Sequence, residues 1–163
     1  MRDWIINASP LILLGKINRL DLLSQLSSSL LIPRSVSLEI LAGPDGDPAK
    51  SWLELPSAAQ CIAEDAPVSL EVLAWDLGAG ETAVISMAMQ SGNSVCVLDD
   101  LAARNCAKVF DIPVIGTLGI LLKAKIAGLI PTLRPEIDNL VACGSMLSPR
   151  IIAEALELAN ESA

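Results

Sequence analysis

Several acidic side chains stand at positions where they could take part in chemistry. Asp99 and Asp100 directly follow the apolar run Ser94–Leu98, and Glu81 is the only charged residue between positions 78 and 92. Adjacent carboxylates repel each other unless a cation lies between them. This pattern indicates a cation site built from carboxylate oxygens.

Two further polar residues extend the candidate site. Glu39 has apolar neighbours on both sides in the chain, and Asn7 ends the first apolar run of the sequence. A charge on an apolar helix face needs a partner or a metal. In parallel α/β sheets, ligands bind beyond the carboxyl ends of the strands. We therefore expect Asn7 to lie near Asp99 and Asp100 in space.

Each acid also has an ordinary structural explanation. An acid in the first turn of a helix caps its free N–H groups and offsets the helix dipole, which would account for Glu81 or Asp100 taken singly. Asp100 could instead form an ion pair with Arg104, one helical turn later. Glu39 could reach water at the edge of its helix. The sequence alone leaves these alternatives open.

The chain contains no histidine. This excludes histidine general-base catalysis, histidine-dependent nucleophiles and histidine-ligated zinc. A site with oxygen ligands only selects Mg²⁺ or Mn²⁺. The four cysteines form no C-x-x-C motif, which argues against a zinc knuckle or redox pair. We expect Cys96 and Cys106 to be buried and reduced, because their neighbours are apolar.

The composition is that of a globular protein with an aliphatic core. Hydrophobic residues make up 52% of the 163 positions, charged residues 18%, and the only aromatic residues are three Trp and one Phe. The net charge of −8 has the wrong sign for binding nucleic acid through electrostatic attraction alone. No apolar run reaches the roughly 20 residues of a membrane helix, and the N-terminus lacks a signal-peptide pattern. We expect a cytoplasmic protein.

Short apolar runs alternate with helical patterns along the chain. The expected strands are 3–7, 30–32, 94–98 and 112–115, with a minor one at 60–62. Helices are expected between them, the first capped by Ser9 with Pro10 at its first position. Continuously apolar strands alternating with helices predict an α/β domain whose parallel sheet is covered on both faces. We expect one domain over 1–163, ending in helices from about residue 135.

Five stretches in this order resemble the PIN-domain family of metal-dependent ribonucleases, which includes the VapC-type bacterial toxins. The similarity is strongest to a poorly characterised bacterial subfamily of predicted PIN proteins. The stretches are IINASPLILLGKI, LLIPRSVSLEIL, LGAGETAVISMAM, VCVLDDLAARNCAK and PVIGTLGILLKAKIAGLIP. The resemblance implies a three-layer α/β/α fold with a short central parallel sheet.

The resemblance also assigns roles to individual residues. Glu39, Glu81 and Asp100 match acidic positions of the family, where they would hold Mg²⁺ or Mn²⁺ and serve catalysis, with Asp99 beside them. Ser9 matches a hydroxyl residue that would orient a ligand or water. Arg104, Lys108 and Lys123 are candidate phosphate contacts.

Asn7 departs from the family pattern, which has Asp at this metal-ligating position. The leading hypothesis is a toxin-type endoribonuclease that cuts single-stranded RNA, is weakened by Asn7, and associates with an antitoxin protein and with a second copy of itself. The alternative is a catalytically inactive PIN-like module that binds RNA or protein. A purely structural α/β domain would explain the packing but not the order of the acids.

Overall fold

Five short strands form the centre of the computed structural model, which describes residues 1–162. They are β1 (Asp3–Ile6), β2 (Leu30–Pro33), β3 (Ile62–Ala63), β4 (Ser94–Val97) and β5 (Val114–Ile115). All neighbouring strands are parallel, in the order β3-β2-β1-β4-β5. The fold is therefore a three-layer α/β/α arrangement, as expected.

Helices connect and cover the strands. In chain order they are α1 (Ala8–Lys16), α2 (Asp21–Leu26), α3 (Arg34–Leu41), α4 (Pro48–Leu53), α5 (Pro56–Ala59), α6 (Leu70–Leu73), α7 (Ala79–Ser91), α8 (Leu101–Val109), α9 (Thr117–Ile126), α10 (Arg134–Ala142) and α11 (Pro149–Leu158). Helix α7 packs on β1, β2 and β4 and also contacts α3. No helix among residues 1–162 is long and apolar enough to cross a membrane.

Several boundaries differ from the expected ones; β1 and β4 each end one residue earlier, and β2 extends to Pro33. Helix α1 begins at Ala8, with Asn7 rather than Ser9 at its N-cap position. Pro10 is tolerated inside the first turn, because its missing N–H would have had no partner within the helix. Strand β5 starts only after Pro113, and β3 lies slightly later in the chain than expected.

The core is aliphatic, as the composition predicts. The largest fully buried side chains of the described residues are all Ile or Leu, among them Ile5, Ile6 and Leu98. Burying a side chain of this size stabilises the fold by roughly 1.5–3 kcal/mol. The ends of β1 and β4 are thus embedded in packed side chains, which fixes the polar residues that follow them. Cys96 and Cys106 are also fully buried and free, as expected.

Candidate functional site

The carboxyl ends of β1 and β4 lie side by side. Ile6 pairs with Val97 in the parallel register, and the Asn7 N–H donates to the Val97 carbonyl at 3.1 Å. The polar residues that follow these two strands therefore stand at the same edge of the sheet. This is the proximity expected for Asn7 and the Asp99–Asp100 pair.

The Asn7 side chain is buried at this edge without a hydrogen-bond partner. It is 6% exposed, and its Oδ1 is the one buried side-chain oxygen or nitrogen in residues 1–162 that lacks a partner. Its position at the start of α1 does not explain it, because the side chain makes no capping bond. Leaving such an atom unpaired costs about 1–3 kcal/mol, so this oxygen is a candidate ligand for a bound group.

Gly80 brings Glu39 into the same place. A Cβ atom added to Gly80 would stand 2.8 Å from Asn7 Oδ1 and 3.3 Å from Glu39 Oε2. Helix α3 carries Glu39 against α7, and the absence of a side chain at Gly80 leaves room for both oxygens. Sequence reasoning missed Gly80; the only signal was a glycine inside the first turn of an otherwise well-formed helix.

Glu81 combines a capping role with an electrostatic one. Its Oε2 accepts a hydrogen bond from the Gly78 N–H at 3.1 Å, so the capping explanation is correct for this residue. Burial raises the pKa of the Glu81 carboxyl above its usual range, and the negative charges of Asp100 and Glu39 add to the rise. The bond from Gly78 acts in the opposite direction. Three acids from α3, α7 and the end of β4 thus influence one another.

The two adjacent aspartates have different partners. Asp100 is exposed and caps α8, accepting a hydrogen bond from the Ala103 N–H at 2.9 Å. Asp99 accepts two bonds from Thr117, at 2.7 Å from the N–H and 2.6 Å from the hydroxyl. Ser9 Oγ also lies 3.5 Å from Asp99 Oδ2. Asp99 therefore ties the end of β4 to the start of α9.

Arg104 and Asp100 do not form an ion pair, so the ordinary explanation of Asp100 as the partner of Arg104 is wrong. The Arg104 Nη1 donates to the Leu98 carbonyl at 3.1 Å and lies over Gly116, 2.7 Å from the position of an added Cβ. Lys108 and Lys123 are exposed. Within residues 1–162 none of the three cations is in an ion pair.

An open cleft of about 600 Å³ runs along the acids. Its lining includes Ser9, Glu81, Asp99 and Asp100 together with the loop from Cys143 to Leu147. Sequence reasoning missed this loop, since nothing in its composition marks it. Neither Asn7 nor Glu39 lines this cleft; Asn7 is buried, whereas Glu39 is exposed, as the helix-edge explanation of Glu39 requires.

The donor atoms at this edge of the sheet are of the chemical type that binds a hard divalent cation. The carboxylates and the unpaired amide oxygen of Asn7 are the ligand types that Mg²⁺ and Mn²⁺ prefer. In residues 1–162, however, no three Cys, Asp or Glu side chains are close enough together to hold one ion. Glu81, Asp99 and Asp100 are each bonded to a backbone N–H instead.

A comparison with known families identifies the family of the chain. The family model DUF3368, described as a PIN domain, matches residues 3–161. A search of curated proteins finds no significant match.

Proposed function

The chain belongs to the PIN-domain family, a nuclease-type fold, and on that premise we propose that it is a metal-dependent endoribonuclease of toxin type. Its substrate would be single-stranded RNA. The observation that supports this most is the unpaired Asn7 Oδ1, buried beside Glu39 where the resemblance expects a metal ligand. An oxygen without a partner at this position is explained if a cation binds there.

PIN domains generally use divalent metals, and the residues proposed to hold one here are Glu39, Glu81 and Asp100, with Asn7 as a neutral fourth donor. Bound Mg²⁺ or Mn²⁺ would supply an activated water and neutralise phosphate charge. Burial is the main cause of the raised Glu81 pKa, and the smaller contributions from the charges of Asp100 and Glu39 support the proposal that the three acids share one site.

The remaining residues position these groups or meet the substrate. Asp99, proposed from the sequence as both ligand and catalytic residue, uses both of its oxygens on Thr117, so its role would be to fix the β4–α9 connection. Ser9 faces the cleft, where its hydroxyl can orient a water or a phosphate oxygen. Arg104 and Lys108 lie beside the cleft and remain the proposed phosphate contacts, whereas Lys123 lines neither the cleft nor the groove next to it.

A catalytically inactive binding module is the second candidate. It is favoured by the neutral Asn7 and by the backbone bonds that already occupy three of the acids. Such a module would keep the cleft as a binding surface for RNA or protein without cutting.

We also propose that the protein lies in the cytoplasm, binds an antitoxin protein and forms a homodimer. The homodimer is supported by exposed leucines on two helices that both pack on α7: Leu38 and Leu41 of α3, and Leu70 and Leu73 of α6. Light scattering of the purified chain tests it, and a monomer at high concentration would contradict it.

Cleavage of a mixed single-stranded RNA pool tests the enzyme proposal. Wild type should cut in Mn²⁺ or Mg²⁺, and Asn7→Asp should cut faster. Asp99→Asn should cut less, because it loses one of the two oxygens that accept hydrogen bonds from Thr117 at the start of α9. Asp100→Asn, purified in parallel, controls for contaminating nuclease. If no variant exceeds this control in either metal, the binding-module candidate replaces the enzyme.

A further inference from the structure

A second depression, of about 780 Å³, adjoins the acidic cleft at the open edge of the sheet. We call it the β5 groove; its walls are α8, β5, the first turns of α9, and α11. The cleft and the β5 groove share Asp99 and the segment Ser145–Leu147. Whatever occupies the groove therefore touches a wall of the cleft.

The surface of the β5 groove is largely aliphatic. Leu101 is 69% exposed, Leu158 is 64% exposed and Met146 is 98% exposed, and all three line it. Clustered exposed apolar side chains mark binding surfaces more often than isolated ones do. No strand in the described residues pairs with the outer side of β5, so its backbone can accept an added strand.

Unpaired cations outnumber unpaired acids in the groove, although the chain carries a net charge of −8. Arg104 and Lys108 stand one helical turn apart on α8 and have no carboxylate partner in residues 1–162. Of the acids that line the groove, Glu154 pairs with Arg150 at 2.9 Å. Asp99 is hydrogen-bonded to Thr117 but keeps its negative charge, so two cations face one unpaired carboxylate. The groove thus complements an occupant that carries negative charge.

We infer that the β5 groove binds an extended peptide segment of a partner protein, with aliphatic side chains and at least one carboxylate. The aliphatic residues would cover Leu101 and Leu158, the backbone would pair with β5, and the carboxylate would meet Arg104 or Lys108. RNA fits less well, because no aromatic side chain lines the groove and its bases would find no stacking platform.

Such a partner would also regulate the cleft, a consequence that rests on the proposed function. The same two cations are the proposed phosphate contacts, so a peptide carboxylate on them would compete with RNA. The peptide would also contact Ser145–Leu147, which forms part of the cleft wall. Binding of the peptide itself does not depend on nuclease activity.

Selection from a phage-displayed library of random decapeptides on the full chain tests the inference. Enriched sequences should combine aliphatic residues with Asp or Glu. A synthetic peptide of the enriched sequence should bind at least tenfold more weakly to Lys108→Glu and to Leu158→Glu. The matched controls Lys16→Glu and Leu55→Glu change an exposed lysine and an exposed leucine outside the groove and should bind as wild type does.

Circular dichroism melting verifies that all four variants are folded. No enrichment, enrichment of sequences without acids, or unchanged binding by both groove variants overturns the inference. If instead both groove variants bind a uridine oligomer more weakly than wild type does, and neither binds a selected peptide more weakly, the groove binds RNA rather than a peptide. Peptide binding without RNA cleavage by any form of the chain would refute the proposed function and leave this inference standing.

Discussion

Replacing Asn7 by Asp tests the proposed metal site most directly. The change keeps the shape of the side chain but places a negative charge where an unpaired oxygen is now buried, beside Glu39. A charged oxygen binds a hard cation more strongly than an amide oxygen does. We expect Mn²⁺ to bind roughly 10- to 30-fold more tightly to Asn7→Asp, equivalent to about 1.4–2 kcal/mol.

Without metal, the same change should destabilise the fold. The introduced carboxyl is buried and close to other acids, so its pKa in the folded state should be raised above the value of about 4 in the unfolded chain. Asn7→Asp should therefore match the wild type in stability below about pH 4. It should lose stability as the pH rises through the raised pKa, by about 2–3 kcal/mol at pH 7.

Urea unfolding at pH 4 and pH 7, with and without Mn²⁺, measures both effects, and calorimetric titration gives the affinity. Asn93→Asp adds the same charge at an exposed position before β4, at the opposite end of the sheet, and should change neither quantity. A Mn²⁺ affinity within twofold of wild type would contradict the assignment of Asn7 as a ligand. Equal stability of Asn7→Asp and wild type at pH 7 would contradict the electrostatic argument.

Three further predictions concern single side chains. Glu81→Gln keeps an acceptor for the Gly78 N–H but removes a carboxyl whose pKa is raised by burial. Without metal, the free energy of unfolding of the variant should therefore rise relative to wild type as the pH increases from about 4 to 7. Urea unfolding across that range measures this difference, and a difference that does not change with pH would refute the prediction. Cys96 and Cys106 should react with a thiol reagent only after denaturation, since both are fully buried and burial raises the pKa of the Cys96 thiol to about 12; rapid labelling of both in the native protein would be contrary evidence. Thr117→Val deletes the hydrogen bond from the Thr117 hydroxyl to Asp99 and should lower the free energy of unfolding by about 1–2 kcal/mol. Urea unfolding measures this value, and an unchanged free energy of unfolding would show that the bond does not hold α9.

The sequence was sufficient to predict the sheet because its strands are buried on both faces. A strand in that position is apolar at nearly every residue, which makes runs such as Ser94–Leu98 recognisable without any alignment. The parallel arrangement then placed Asn7 and the acids after β4 at the same edge. The short edge strand β5 was harder to delimit, because two residues give little pattern and Pro113 removes a backbone donor.

The type of ligand that we propose also came from the sequence: the chain has no histidine, and the acids that match the family pattern offer oxygen donors. The hydrogen-bond partners of these residues could not be predicted from the sequence. Asp99 bonds to Thr117 and Asp100 to its own helix; the two residues are adjacent in the chain, and only the packing of α9 against the end of β4 distinguishes them.

Gly80 shows most clearly what the tertiary structure decided. In the sequence it is a weak helix former in the first turn of α7, with no sign of a chemical role. In the fold it is the point on which Asn7 from β1 and Glu39 from α3 converge, and a single added Cβ would displace both oxygens. The chemical character of the residues and the alternation of strands and helices along the chain can be recognised in the sequence, whereas the space between side chains exists only once separate elements have packed together.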